Sequence, residues 1–258
     1  MSIEFKILAD NHTVDKSLKM CWGFSCLISP VRDITSRRYV GTTSNGVNEN
    51  VLFDTGENGN TLIFNMDKMG VRPEKAKKLV ISHDHYDHTG GLEALLKLNP
   101  DIDVYLLSVF SDELKKRVSS LGANVVEHDK FMEISDGIYT TGKIEGEYAG
   151  GIIFEQAIVV KTEKGLVVIT GCSHPLVTDI VERVKKEFPK NKIFLVFGGF
   201  HLLDKDRREV EYIAGKMKKL EVEKVGPTHC TGEEAIQIFQ EKFGSDFVRI
   251  GVGTKIAI

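Results

Sequence analysis

The run His83-Asp84-His85-Tyr86-Asp87-His88 constrains this chain more than any other feature, because it places three of the eight histidines within six residues. It directly follows the apolar residues 78–81, which have the composition of a buried strand. His83 and His85 are two positions apart, so they point to the same side of an extended segment. Neutral imidazole and carboxylate groups are ligands for zinc, iron and manganese. The run therefore predicts a metal site more strongly than it predicts a solvated turn in which Asp87 caps a helix.

Four neighbouring ligands cannot complete two metal sites, so further ligands must come from elsewhere in the chain. Other polar or glycine-rich segments also begin where a predicted strand ends, as the run does. Reactive groups of α/β proteins gather in the loops at one edge of a sheet. We therefore expect the following segments to lie near the run: Asp54, residues 171–174, residues 198–201 and residues 227–230.

Apolar runs alternate with segments of helical periodicity along most of the chain. Strands are predicted at 3–9, 24–28, 51–53, 78–81, 103–107, 166–170, 193–197, 224–226, 247–250 and 255–257. Helices are predicted at 60–69, 92–98, 112–121, 177–188, 209–220 and 233–243. Residues 124–170 carry four or five short strand patterns of an antiparallel sheet, and residues 30–50 are predicted to form a long surface loop. The order predicts an α/β fold, an αββα four-layer sandwich of two mixed β-sheets with helices on the outer faces, in one domain over 1–258.

The charge and the cysteine spacing limit the possible partners and the compartment. A net charge of -3 gives no reason to expect nucleic acid as a partner. The N-terminal segment is too short and too charged for a signal peptide, and no apolar run reaches membrane-spanning length, which predicts a cytoplasmic protein without a membrane partner. The four cysteines form no CxxC pair and do not suggest a disulfide framework. The expected partner is a small-molecule substrate, and the oligomeric state is left open.

Each further candidate residue has a functional interpretation and an ordinary one. His174 and His229 each follow a predicted strand at the sheet edge, and we predict both as metal ligands. His201 is either a ligand or a group that contacts a ligand or the substrate. Asp54 is predicted to orient one of the histidines. Cys172 either binds metal as a thiolate or packs.

Five other residues are given smaller roles. Cys230, beside His229, is taken as structural. His12 and His128 are predicted to be ordinary exposed histidines. Asp10 and Asn11 end the first strand, where they either line the pocket or cap a turn.

The motif His83-x-His85-x-Asp87-His88, preceded by 53–56 (Phe-Asp-Thr-Gly), resembles the metallo-β-lactamase superfamily, and the likeness spans nearly the whole chain. Residues 170–175, 199–202 and 227–232 resemble one branch of that superfamily. This branch holds the metal-dependent hydrolases of β-lactamase superfamily II and includes archaeal dihydropterin–ribofuranosylaminobenzene phosphate synthases.

The resemblance implies two divalent ions, of zinc, manganese or iron. Most members of the superfamily have an aspartate that bridges both ions after the strand at 166–170, where this chain has Cys172. This departure leaves open whether one ion or two bind. The ligands implied by the resemblance are His83, His85 and His174 for the first ion, and Asp87, His88 and His229 for the second.

The resemblance and the ligand set imply a hydrolase that uses a metal-activated water on a small ester or phosphoester. Asp87 would orient that water and shuttle its proton, and His201 would stabilise the oxyanion or protonate the leaving group. One alternative is a pterin-type transferase, which needs a pocket that stacks a planar ring. Trp22, Phe24 and Phe200 are the candidates, but aromatic residues in such strands more often belong to the core. Another is a non-catalytic metal- or ligand-binding protein, because the bridging aspartate is missing.

Overall fold

The computed structural model describes residues 2–31 and 49–258, so most of the surface loop predicted at 30–50 lies outside the described residues. Strands account for most of the described elements. Their bounds are β1 (Ser2–Ala9), β2 (Ser25–Val31), β3 (Asn50–Phe53), β4 (Ala76–Val80), β5 (Asp103–Leu107), β6 (Asn124–His128), β7 (Met132–Ser135), β8 (Ile138–Thr140), β9 (Ile144–Tyr148), β10 (Gly151–Glu155), β11 (Ile158–Thr162), β12 (Gly165–Thr170), β13 (Ile193–Gly199), β14 (Val222–Thr228) and β15 (Lys255–Ala257).

The helices agree with the predicted ones within two residues at each end, except for one short helix inside the histidine run. Their bounds are α1 (Gly59–Lys68), α2 (Tyr86–Thr89), α3 (Leu92–Leu98), α4 (Asp112–Ser120), α5 (Val177–Glu187), α6 (Arg207–Lys219) and α7 (Glu233–Phe243). Their starts follow local capping signals: Asn58 and Ser111 cap α1 and α4, and Asp206 forms a capping box with Glu209 at α6. Within the described ranges, no helix is long and apolar enough to cross a bilayer.

Two large mixed sheets face each other. The first has the strand order β15-β1-β2-β3-β4-β5-β6, and the second has the order β14-β13-β12-β11-β8-β7. Their inner faces share a buried core to which Phe5 and Ile28 contribute from the first sheet, and Val160 and Phe197 from the second. Helices α1, α3 and α4 pack on the outer face of the first sheet, and α5, α6 and α7 pack on that of the second. The predicted αββα layering is confirmed.

Each strand that carries candidate residues is parallel to at least one of its neighbours. In the first sheet β3 pairs parallel with β4, and in the second β12 pairs parallel with β13 and β13 with β14. Parallel neighbours end at the same edge of a sheet, where functional groups collect. Asp54 directly follows β3, Gly171 follows β12, Phe200 follows β13 and His229 follows β14, while His83 lies three residues past the end of β4. The fold thus brings the candidate segments to one edge.

Two predictions about strands are wrong. Residues 247–250 do not form a strand in the structure, which has only an isolated bridge between Val225 and Phe247. The region 124–170 is not one antiparallel sheet, because β6 joins the first sheet parallel to β5. The connection through α4 allows this parallel pairing, and a local strand pattern does not reveal the partner strand. Of the other strands, β7, β8 and β11 pair antiparallel in the second sheet, and β9 and β10 form a separate hairpin.

Candidate metal centre

Three groups of side chains with metal-binding donor atoms lie together at this edge. Within each group, the donor atoms lie within 4.8 Å of one another. Cys172 and His174 each belong to two groups, so the groups adjoin. All the predicted ligands are therefore brought together, while their binding of metal stays a prediction. The groups are His83, His85 and His174; Asp87, His88, Cys172 and His229; and Cys172, His174 and His201.

The first group consists of three histidines whose rings are in mutual contact. The ring of His83 lies 4.7 Å from those of both His85 and His174, and the rings of His85 and His174 are 5.1 Å apart. His83 and His174 are buried, whereas His85 is partly exposed. Nε2 of His83 is buried and has no hydrogen-bond partner among the described residues. A buried polar atom without a partner is costly, and a bound cation would satisfy it.

The second group is more compact than the first. Nε2 of His88 lies 3.2 Å from Sγ of Cys172 and 3.5 Å from Oδ2 of Asp87. Nε2 of His229 lies 3.4 Å from the same sulfur and 3.3 Å from the same oxygen. All four side chains are buried. The donor set of two imidazoles, a carboxylate and a thiol fits a divalent transition metal.

Four of these histidines are held through Nδ1, which leaves Nε2 for the cluster. Nδ1 of His88 donates to Asp54 Oδ2 at 2.6 Å, and that of His174 donates to Glu155 Oε2 at 3.0 Å. Nδ1 of His229 lies 3.2 Å from Asn11 Oδ1. Metal-binding histidines usually have the second ring nitrogen fixed in this way. In the fourth, His83, Nδ1 lies 2.8 Å from the hydroxyl oxygen of Ser82.

Asp54 was predicted to orient one histidine. It contacts His88 directly and His83 through the hydroxyl of Ser82. It occupies the left-handed region with φ 56°, and its Oδ1 accepts from the backbone N–H of Ser82 at 2.7 Å. Its Oδ2 accepts from the Ser82 hydroxyl at 2.7 Å as well as from His88. Because that hydroxyl donates to Asp54, it can accept the Nδ1 proton of His83. One buried carboxylate thereby sets the tautomers of two histidines.

The electrostatics of the cluster favour a cation. Burial alone would lower the pKa of His88, but the charges and hydrogen bonds of Asp54 and Asp87 raise it to about 10. Burial opposes ionisation of Asp87, yet hydrogen bonds from His229 and His88 hold its pKa well below the usual range. Burial and the nearby charge of His88 keep the pKa of His83 well below its ordinary value, so this ring is neutral. Carboxylates that stabilise the positive charge of a protonated imidazole would likewise stabilise a metal ion bound to the neutral ring.

Glu155 is a functional residue that the sequence analysis missed. It is buried at the end of β10, and its Oε1 accepts from the backbone N–H groups of Cys172 and Ser173 at 2.9 Å and 2.8 Å. Its Oε2 accepts from the backbone N–H of His174 at 2.9 Å and from the His174 ring. Burial opposes its ionisation, but the bond from His174 and the nearby His83 keep its pKa well below the usual range. A charged residue between two apolar runs, 152–154 and 157–160, was the signal that could have identified it.

The first strand also contributes to the site. Asp10 Oδ1 accepts from the backbone N–H of His12, and its Oδ2 accepts from the Thr228 hydroxyl at 2.8 Å. Asn11 bonds to the ring of His229 and, at 3.4 Å, to its carbonyl oxygen. Of the two alternatives considered for these residues, the turn cap is observed for Asp10, while Asn11 contacts the candidate ligand His229.

His201 lies beside the first group. It has φ 51°, its ring centroid is 4.4 Å from that of His174, and its Nδ1 is buried without a hydrogen-bond partner in the described structure. A hydrogen bond with Cys230 raises the pKa of His201 against the effect of burial. This position allows His201 to be a ligand or a group that contacts a ligand or the substrate. Cys230 was taken as structural, but its contact with His201 places it within the site.

Two of the three candidate stacking residues belong to the core, the ordinary place for aromatic residues in such strands. Phe24 and Phe200 are fully buried there and cannot stack on a substrate. His12 and His128 are not simply exposed, because each has a buried Nε2 without a partner among the described residues. Trp22 does lie at the mouth of the site, with its ring 5.0 Å from that of His229.

An open cavity of about 380 Å³ adjoins the first group. His85 and Asp84 line one side of it, and Phe110, Tyr148 and Phe154 contribute aromatic rings. The rings of Tyr148 and His85 are 4.7 Å apart. The cavity therefore connects a candidate metal ligand with an apolar, partly aromatic surface.

One glycine allows the chain to pass close to the metal-binding run. Gly23 has φ 98°, and a Cβ atom there would lie 1.8 Å from the carbonyl oxygen of Asp87. Only glycine fits this conformation and this approach. The segment before β2 can consequently pack directly against the turn that carries Asp87.

This arrangement, two packed sheets with histidine and carboxylate groups at one shared edge, agrees with the family to which the chain belongs. That family is the metallo-β-lactamase superfamily, whose model matches residues 44–229.

Particular relatives fall within the branch indicated by the sequence. Over 249 residues, the chain is 30% identical to a 7,8-dihydropterin-6-methyl-4-(β-D-ribofuranosyl)-aminobenzene-5'-phosphate synthase of Methanocaldococcus jannaschii, covering 81% of this chain and 85% of the relative. It is 28% identical to an uncharacterized protein of the same archaeon, covering 98% of this chain and 99% of that protein. A solved structure described as a metal-dependent hydrolase of the β-lactamase superfamily is 28% identical, with a TM-score of 0.76 and 98% of each chain covered.

Proposed function

We propose that this chain is a metal-dependent hydrolase that uses a metal-activated water on a small-molecule ester or phosphoester. The observation that carries the proposal is that two donor groups adjoin each other and that one of them opens into a cavity. The three-histidine group opens through His85 into the cavity, while the second group lies buried behind it. A substrate in the cavity would thus reach the first group without displacing the buried side chains.

Two divalent ions, of zinc, manganese or iron, would occupy the two groups. When bound, such ions acidify water and polarise the oxygen of the group under attack. The proposed ligands are His83, His85 and His174 for one ion, and Asp87, His88 and His229 for the other.

The chain's own groups would position the reactants and move protons. Asp87 belongs to the second donor group, and its carboxylate would orient the attacking water and take up its proton. His201 adjoins His174 and has a ring nitrogen without a hydrogen-bond partner among the described residues, and this nitrogen would donate to the developing oxyanion or to the leaving group.

Metal analysis combined with an activity screen tests the proposal. We expect close to two ions per chain, and hydrolysis of at least one compound in a panel of carboxylic esters, phosphomonoesters and phosphodiesters. A chelator should abolish the turnover, and Zn(II), Mn(II) or Fe(II) should restore it. Tight metal binding without turnover of any compound would favour the non-catalytic metal-binding alternative. Failure to bind any of the three metals after soaking would contradict the proposal.

Replacing His201 with alanine is expected to lower kcat about 10²-fold while metal content stays at the wild-type level. The size follows from the usual effect of removing one group that stabilises an oxyanion. Elemental analysis and steady-state kinetics on the same preparation check this result, with His128→Ala as a control because His128 belongs to none of the three donor groups. A loss of metal in His201→Ala would identify His201 as a ligand instead.

The cavity favours a second candidate, a pterin-type transferase. The aromatic residues Phe110, Tyr148 and Phe154 could hold a planar ring beside His85, and the similarity to an archaeal synthase supports this alternative. The same ions would then assist a leaving pyrophosphate. Incubation with a dihydropterin diphosphate and a ribofuranosyl-aminobenzene phosphate distinguishes the two, since a transferase yields a coupled product whereas a hydrolase yields only hydrolysed substrates.

A further inference from the structure

The environment of Cys172 is unlike that of a cysteine that merely packs. Its side chain is buried, but Sγ lies close to the Nε2 atoms of His88 and His229, at 3.2 Å and 3.4 Å. A buried cysteine that only fills space is expected to contact apolar groups, as Cys26 does in the core between the sheets. Sγ of Cys172 instead points into a polar cluster.

Four distances within the second donor group agree with tetrahedral coordination of one ion. Four ligands at about 2.0–2.3 Å from one ion lie roughly 3.3–3.8 Å from one another. The two distances from Cys172 Sγ are 3.2 Å and 3.4 Å, and the two from Asp87 Oδ2 are 3.5 Å and 3.3 Å. Four of the six edges therefore have nearly the length that a central ion requires.

The backbone around Cys172 is held tightly. Its N–H donates to Glu155 Oε1 at 2.9 Å, and its carbonyl oxygen accepts from Cys230 Sγ at 3.5 Å. A Cβ atom on the preceding Gly171 would lie 2.2 Å from the hydroxyl of Ser82, so the chain passes directly against that serine. These contacts fix Sγ at the boundary between the donor groups, and it also lies in the group with His174 and His201.

We propose that Cys172 binds metal through its thiolate and is the fourth ligand of the ion held by Asp87, His88 and His229. This inference rests on the proposed function, because it requires that the second group takes up an ion. On binding, the sulfur–hydrogen bond of the thiol breaks, the proton passes to solvent and the sulfur electron pair forms the bond to the metal.

A closed four-ligand site has two consequences. Sites with four protein ligands are typical of structural zinc, whereas catalytic sites keep an open position. The three-histidine group beside the cavity is then the one that holds water and substrate. A thiolate ligand also selects Zn(II), Fe(II) or Co(II) over Mg(II) and Mn(II) at the second group.

Cobalt substitution tests the thiolate directly and does not depend on turnover. Protein freed of metal by a chelator is titrated with Co(II) and followed by absorption spectroscopy. We expect a thiolate-to-cobalt charge-transfer band in the near ultraviolet in the wild type, and its loss in Cys172→Ser. We also expect the affinity of Cys172→Ser for Zn(II) to fall by at least about 10²-fold, because loss of a ligand should exceed the 10–100-fold effect of losing a group that only supports a ligand.

Cys230→Ser is the matched control, because Cys230 lies beside Cys172 in the same buried cluster. The charge-transfer band should persist in this variant. A band that disappears in Cys230→Ser and persists in Cys172→Ser would overturn the assignment. If the wild type takes up Co(II) without the band, the thiolate ligand is refuted and the proposed function stands. If neither Co(II) nor Zn(II) binds, both fail.

A second measurement covers the case in which Cys172→Ser does not fold. X-ray absorption of Zn(II)-loaded Cys230→Ser should show a sulfur scatterer at about 2.3 Å from zinc. A coordination shell of nitrogen and oxygen alone in that variant would overturn the proposal without any substitution at Cys172.

Discussion

Asp87→Asn is expected to lower kcat/KM by on the order of 10³-fold, within the range for loss of a group that both binds and moves a proton. Oδ2 of Asp87 lies 3.5 Å from Nε2 of His88 and 3.3 Å from Nε2 of His229, so the change removes a negative charge from the centre of the second donor group. An amide is a weaker ligand and cannot accept the proton of an attacking water. Elemental analysis should show loss of metal, and kinetics on the substrate found in the screen should show the loss of turnover.

Asp84→Asn is the control for this change because it removes the same charge from the same run. Asp84 belongs to none of the three donor groups, and its Oδ2 accepts from the backbone N–H of Ser111 at 3.0 Å. Its metal content should equal that of the wild type. Wild-type metal content and turnover in Asp87→Asn would refute the role of Asp87.

Glu155→Gln is expected to lower the free energy of unfolding by about 2–4 kcal/mol, because buried donors lose a charged acceptor. The carboxylate accepts from three successive backbone N–H groups, those of Cys172, Ser173 and His174, and from the ring of His174. An amide has one acceptor oxygen and brings an NH₂ group towards the remaining donors. Denaturant unfolding of metal-free protein measures the effect apart from any loss of bound metal.

Glu147→Gln is the matched control because Glu147 is an exposed residue in the same hairpin, on β9. Surface changes of this type alter the free energy of unfolding by less than about 0.5 kcal/mol. Equal stability of the Glu155→Gln and Glu147→Gln variants would show that the buried carboxylate does not hold the turn at residues 172–174.

The sequence contained enough local information to predict the layers and most of the cluster. Apolar strands and helical periodicity are local patterns, and they predicted α3, β5 and α7 with their observed bounds. The run from His83 to His88 was recognisable because several ligand types are adjacent in it. His174, His201 and His229 could be predicted because each follows a strand of a parallel set, and parallel strands end at the same edge.

The supporting contacts could not be predicted because they join distant parts of the chain. Glu155 lies 19 residues from His174, and Asn11 lies 218 residues from His229. Neither residue belongs to a motif. The apolar runs on both sides of Glu155 indicate that it is buried, but they do not identify its hydrogen-bond donors on a distant segment. For the same reason the rings beside the cavity were not identified. Phe24 had the residue type of a stacking group, but the fold points it into the core.

The hairpin of β9 and β10 divides into a constrained base and a freer tip. At its base, Glu155 holds the turn at 172–174, and a Cβ atom on Gly146 would lie 2.6 Å from the carbonyl carbon of His174. At its tip, Tyr148 and Ile152 are exposed, and a Cβ atom on Gly150 would meet no atom of the described residues within 4 Å beyond its chain neighbours. Under the proposed function, lengthening or exchanging the tip is expected to change selectivity for the substrate, provided that residues 146 and 155 are kept.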